Sequence, residues 1–226
     1  MKKSKMIFTV LIGLLVLFAF SFSVVATDDY ILSEDEMYGY VYLGDGTIEI
    51  IGYAGEESYL TVPSEIDGKK VSSIGAEGFY DADTLVKVII PDSITNISEY
   101  AFDDCNNLCE VIIGNGVSAI GDYAFNYCDK LETVKLGENV SSIGIGAFRK
   151  CYCLESFEFN GKITKVQDGT FFDCYSLHSV EFGEQITEIG YRAFAGCPFL
   201  ESITGAVNVT VIGEEAFSEC FSLKNF

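Results

Sequence analysis

Phenylalanine stands at positions 79, 102, 125, 148, 171, 194 and 217, each 23 residues after the last. Six residues beyond each Phe comes a leucine, from Leu85 and Leu108 through to Leu223. Nine beyond it the column reads Val88, Val111, Val134, Phe157, Val180, Ile203 and Phe226. Eleven beyond it stand Ile90, Ile113, Leu136, Phe159 and Phe182, before Gly205 breaks the column. Further pairs follow, Ile94 with Ile97, Val117 with Ile120, and Val140 with Ile143. A register held over seven starts requires one unit of structure per 23 residues, stacked on its neighbours. A Leu-rich period in this range is the mark of a solenoid of leucine-rich repeats.

Each repeat reads as one coil. "LVKVII" and "LETVKL" alternate inward and outward residues as a strand does. Such strands stack about 4.8 Å apart into a parallel sheet. "GENVSSIG" turns a corner at Gly and Asn and runs on extended. The "AFxxC" stretch has room for a turn or two of helix, with Ala, Phe and Cys on the core side. The expected architecture is an α/β solenoid, a right-handed coil with its parallel sheet on the concave face and short helices or turns opposite. A single coil cannot repay the entropy of ordering its backbone. Stability therefore comes only when neighbours share a core.

The pattern I-G-x-x-A-F-x-x-C-x-x-L-x-x-V-x-I, over residues 74 to 226, resembles the BspA-like leucine-rich repeats of bacterial and protist surface proteins. "YGYVYLGDGTIEIIGYAG…LTVPSEIDGKKVSSIG" is similar to the segment that precedes those repeats in the family. The resemblance implies surface display, adhesion and binding of host proteins. It brings no catalytic residue and no cofactor.

The N-terminus carries a second signal. "MKKSK", an apolar run and "SVVATDD", with Val24 and Ala26 at the −3 and −1 sites, make a secretory signal peptide over residues 1–26. An uncleaved anchor is the alternative, because the apolar run is long enough to span a bilayer. Cleavage would remove Lys2, Lys3 and Lys5 and take the formal charge from −20 to −23. That excludes nucleic acid and, once the segment is cut, an anionic membrane as partners. Residues 27–73 read as an N-terminal cap with a hairpin about Gly44-Asp45-Gly46 and an irregular first coil. Residues 74–226 are the repeat domain, whose last repeat ends at Phe226 without a polar cap. The expectation is a secreted or cell-surface protein, with self-association through that open coil as a further contact.

The chemistry-bearing residues are mostly absorbed by the repeat. Cys105, Cys128, Cys151, Cys174, Cys197 and Cys220 form a column in which the first coil has Ala82. They read as buried thiols, with helices of neighbouring coils held too far apart for disulfides. Cys109 and Cys153 lie off the column and lack the spacing of a metal site. His178 is the only histidine, in a variable and solvated slot. Gly114-Asn115-Gly116 is a corner that uses glycine's conformational freedom, not a phosphate cradle. Glu158 and Glu181 are proximal by repetition, so a glycosidase-like pair, and with it a hydrolase of extracellular polymers, is the weakest reading. Thr95, Ser118, Ser141, Thr164, Thr187 and Thr210 form a hydroxyl column placed to hydrogen-bond between coils.

Function is left to the columns that vary. Lys87 and Glu110 in one outward strand slot, and Ile89, Ile112, Lys135, Glu158 and Glu181 in the other, are the candidate contact face for a host matrix protein or glycan, with the two isoleucines exposed. Tyr152 and Tyr175, just after the cysteine column, are a second candidate. The reading is a non-catalytic binding or adhesion module, with a scaffold fragment of a larger surface protein as the alternative.

Overall fold

The computed structural model describes residues 30–224; the signal-peptide reading and Phe226 lie outside them. The chain is a β-solenoid. β1 (Ile31–Leu32), β2 (Tyr38–Tyr42) and β3 (Ile48–Tyr53) form an antiparallel cap. β4 (Tyr59–Thr61), β5 (Glu65–Ile66) and β6 (Lys69–Ile74) make the irregular coil that follows. Six regular coils then contribute two strands each. These are β7 (Lys87–Ile90) and β8 (Asn96–Ile97), β9 (Glu110–Ile113) and β10 (Ala119–Ile120), β11 (Thr133–Lys135) and β12 (Ser142–Ile143), β13 (Ser156–Glu158) and β14 (Lys165–Val166), β15 (Ser179–Glu181) and β16 (Glu188–Ile189), and β17 (Ser202–Thr204) and β18 (Val211–Ile212). Phe217 opens a further coil.

Every coil-to-coil pairing between these strands is parallel and offset by one repeat, as in Val88 opposite Val111 and Ile97 opposite Ile120. β4 joins the first ladder with Leu60 opposite Val88, and β3 joins the second through β6. Inside, the repeated phenylalanines stack in one file. Their ring centroids are 4.8 to 5.8 Å apart and their planes are within 12° of parallel. The leucine, valine and isoleucine columns pack around that file in one continuous core.

No helix forms among the described residues, which corrects the α/β expectation. The "AFxxC" segment is a run of turns with two left-handed columns. One runs from Glu77 through Tyr100, Tyr123 and Arg192 to Glu215, and the other from Asp81 through Asp104, Tyr127 and Lys150 to Glu219. All non-glycine members have φ between 51° and 64°, a region that costs an L residue energy and breaks a helix. The cost is offset by hydrogen bonds that a helix would forgo. Alternate N–H groups leave the coil, so that Phe79 N–H donates to Ala101 C=O, Phe102 to Ala124 and Phe125 to Ala147, at 2.7 to 2.8 Å. The turn side is thus a third ladder, and half of its amides hold neighbouring coils together.

That geometry also corrects the argument about the thiols. Turns bonded rung to rung stand at strand-like spacing, so distance does not keep the cysteines apart. Direction does. Each column Sγ points at the carbonyl of a phenylalanine in the preceding coil, Cys105 at Phe79 (3.0 Å), Cys128 at Phe102 and Cys151 at Phe125 (both 3.2 Å). All eight cysteines are free, and burial pushes the thiols of Cys128, Cys151, Cys174 and Cys197 far up from their ordinary range. Cys109 and Cys153, off the column, are half-buried.

The corner glycines are required for room, not for conformation. A Cβ on Gly114 would lie 2.6 Å from the Ile90 carbonyl oxygen, and one on Gly116 2.0 Å from that of Asp92. Neither has a positive φ.

Candidate binding faces

The first parallel ladder presents two outward rows. In one, Tyr59, Lys87, Glu110 and Thr133 stand in register. In the other, Thr61, Ile89, Ile112 and Lys135 do. Strand alternation turns these residues away from the core that Val88, Ile90, Val111 and Ile113 fill. Glu110 is bracketed by Lys87 at 2.7 Å and Lys135 at 3.2 Å. The hydrogen bond from Lys87, followed by that from Lys135, holds its carboxyl below the usual range. Three of the candidate residues therefore bind one another. As partly solvated ion pairs they add about 0–1 kcal/mol each. Ile89 and Ile112 are half-buried, not exposed as expected, because flanking strands and long side chains cover their flanks.

Glu158 and Glu181 lie opposite each other on β13 and β15, with Thr204 beyond on β17. Ser156, Ser179 and Ser202 form the row beside them. The two glutamates are exposed. No backbone pairing joins them to Lys135, although β11 and β13 remain neighbours. The candidate face is two patches, one apolar with alternating charge and one acidic with hydroxyls. His178, at the edge of the second patch, is exposed and stacks on Phe199, with ring centroids 6.0 Å apart and planes 16° apart.

Tyr152 and Tyr175 lie on the turn side, away from both rows, with centroids 5.1 Å and planes 16° apart. Their surroundings went unread in the sequence. Lys150 donates to the Tyr127 hydroxyl and sits over that ring, 4.2 Å from its centroid. Arg149 lies 5.0 Å over Phe172, and Tyr100 stacks on Tyr123. Desolvation raises the Asp103 carboxyl to about 6, although Asn126 Nδ2 donates to it at 2.8 Å. Tyr59, 74% exposed beside the first patch, was missed because it lies in the irregular coil. Aligning the column two before the Phe and those one, two and four after it would have exposed the turn-side belt.

Among the described residues no group of three His, Cys, Asp or Glu side chains is placed to hold a metal ion. No described helix is long and apolar enough to cross a membrane. At the last described strand Ile212 is 51% exposed, where its counterparts Ile97 and Ile189 are buried.

Comparison with known proteins agrees with the columns. A BspA type leucine rich repeat region matches in six copies, over residues 60–177 and 141–226. A leucine rich repeat protein of T. pallidum superposes with a TM-score of 0.81 at 26% identity, covering 86% of this chain and 91% of that one. A leucine rich cell surface protein of Faecalibacterium prausnitzii gives 0.74 at 33% identity, covering 88% of this chain and 55% of that one. No curated protein matches the chain. With the repeat pattern, the stacked coils and these matches in agreement, the chain belongs to the BspA-type leucine-rich-repeat family.

Proposed function

We propose that the chain is an exported, non-catalytic binding module of the bacterial surface type, and that it captures an extracellular protein on the first ladder. Its N-terminal patch supports this reading. Ile89 and Ile112 lie side by side on adjacent strands, with Tyr59 at the end of the neighbouring row and Lys87, Glu110 and Lys135 around them. An aromatic and aliphatic centre with a charged rim is the pattern of a protein contact. The acidic second patch repels anionic partners and sets orientation instead. Kinship to a leucine rich cell surface protein adds the setting.

The test is capture of immobilised extracellular matrix proteins by residues 27–226, against the variant carrying Ile89→Ala, Ile112→Ala and Lys135→Ala. Loss of capture by tenfold or more, with the fold retained, is the expected result. Each half-buried isoleucine costs about 1 kcal/mol of stability when truncated, which a repeat array absorbs. Unchanged capture overturns the assigned face, and binding only on a glycan array overturns the class of partner. A scaffold role is the second reading, favoured by the match over about half of the Faecalibacterium protein. It expects no capture by either form.

A further inference from the structure

Both strand ladders stop at the same place. β4, β7, β9 and β11 form one sheet and β13, β15 and β17 another; β12 ends one ladder and β14 begins the next. The break lies between the third regular coil (residues 122–144) and the fourth (145–167). Three backbone hydrogen bonds repeat at the other junctions between regular coils and fail at this one. Ser141 N–H donates to Ser118 C=O and Thr187 to Thr164, but Thr164 does not donate to Ser141. Gly144 donates to Ile120 and Gly190 to Val166, but Gln167 does not donate to Ile143. Glu132 donates to Cys109 and His178 to Glu155, but Glu155 does not donate to Glu132.

The sequence of the fourth coil departs from that of its neighbours at this junction. In the coils on either side, the two corners are glycines packed against the preceding coil. A Cβ on Gly137 would lie 2.2 Å from a carbonyl oxygen, on Gly183 2.5 Å, and on Gly144 or Gly190 2.4 Å from a carboxylate oxygen. The fourth coil has Asn160 and Gln167 there. A Cβ alone does not open a junction, because Pro91, Ser98 and Ala206 hold these slots in coils whose strands stay paired; Asn160 and Gln167 are the long polar side chains among them. The ring of Phe159 is not sufficient, because Phe182 occupies the same inward slot while β13 and β15 remain paired; Phe157, in a slot that is Val or Ile in the other described regular coils, is a further feature particular to this coil. Asn160 Nδ2 instead reaches across to the Gly137 carbonyl oxygen at 2.8 Å. Val134 and Leu136, behind the opening, are only partly buried.

The turn side does not open. Tyr123 N–H donates to Ile145 C=O at 2.8 Å, Phe125 to Ala147 at 2.8 Å and Tyr127 to Arg149 at 3.0 Å. Phe125 and Phe148 stay stacked at 5.4 Å. We propose that this junction is a hinge. Residues 30–144 and 145–224 are two blocks that rock about the turn side, changing the angle between the two patches of the first ladder. Two arrays joined along one edge deform there first, because local opening follows the fewest bonds.

Native-state amide hydrogen exchange on residues 27–226 tests it. Glu155, Thr164 and Gln167 are expected to exchange at least tenfold faster than His178, Thr187 and Gly190, one coil on. Tyr123, Phe125 and Tyr127 are expected to stay as slow as Phe102. Substituting Asn160→Gly and Gln167→Gly together is expected to slow the three fast amides. Equal protection on both sets overturns the hinge. Fast exchange at Tyr123, Phe125 and Tyr127 also overturns it, since the coils would then be separating instead of rocking. Should the double variant fail to fold, the wild-type pattern decides alone.

Discussion

The N-terminal and C-terminal blocks have the same columns, the same Phe stack and the same left-handed turns, yet they differ at their meeting point. Within each block three backbone ladders hold consecutive coils; between the blocks only the turn ladder continues, beside side-chain hydrogen bonds from Asn160 to Gly137 and from Lys162 to Asn139. The inward columns specify that a coil closes, and both blocks satisfy them. How closely coils stack is set elsewhere, by which side chains fill the corners: Asn160 and Gln167 stand where the coils on either side have glycine. A repeat protein can therefore lose two of its three ladders at a single junction without a break in its hydrophobic pattern. Stability in such arrays is a sum over nearest-neighbour interfaces, so one weak interface changes how the whole responds without unfolding either half.

The largest expected difference lies in the Phe stack. Phe125 in the first block touches only rings of its own file, Phe102 and Phe148. Phe171 in the second also meets Phe157 and Phe159 edge-on, at 4.8 and 5.9 Å. Phe125→Ala is expected to cost about 3–5 kcal/mol by leaving a cavity. Phe171→Ala should fall at or below the low end of that range, because two neighbouring rings can move into the space. Urea unfolding of both variants measures it. A larger loss at Phe171 would show that the extra rings are rigid and would blunt the contrast between blocks.

Next in size are the corners. Gly137→Ala drives a Cβ to 2.2 Å from the Gly114 carbonyl oxygen and is expected to cost about 1–3 kcal/mol as overpacking. Gly161→Ala, one residue past that slot, where other coils carry Asn115, Glu138 and Glu184, meets nothing within 4 Å. It is expected to be neutral or to stabilise by about 0.4–1 kcal/mol through the unfolded chain. Equal losses at the two sites would mean that contact with the preceding coil does not set the cost at Gly137.

Much of this was legible in the sequence, and what was not has physical reasons. The inward columns fix which residues meet, since Phe, Leu and Val at constant spacing leave one way to share a core. The turn was misread because Ala, Phe and Cys suit a helix face as well as a chain of turns. Its two left-handed columns carry Glu, Tyr, Asp, Lys and Arg more often than Gly, so the usual signal for positive φ is missing. Their strain is balanced by hydrogen bonds to another coil, and single-coil reasoning does not see those. The exposed pair Ile89 and Ile112 was placed correctly on adjacent strands, but its burial depends on side chains around it that a column does not describe. The proposed hinge was present in the letters, as Asn160 and Gln167 in slots that are glycine in the coils on either side, but it becomes readable only once the packing shows how close those glycines come to the preceding coil.

The smallest effect makes the most specific test of the comparison. The hydroxyl column donates from coil to coil, Thr95 Oγ1 to the Ser72 carbonyl at 3.0 Å, Ser118 to Thr95 and Ser141 to Ser118, both at 3.1 Å. The next member, Thr164, faces the opening and donates to nothing, although Thr187 accepts the pattern again by donating to Thr164 at 3.4 Å. Valine keeps the shape and strand preference of threonine and removes the donor. Thr95→Val is therefore expected to cost about 0.5–1.5 kcal/mol, the net worth of one hydrogen bond, while Thr164→Val costs about nothing. The two residues occupy the same slot of the same repeat, so propensity and solvent exposure cancel in the difference, and what survives is the ladder that one block continues and the junction lacks. A loss at Thr164 equal to that at Thr95 would place a hydrogen bond across the opening and remove the distinction between the blocks.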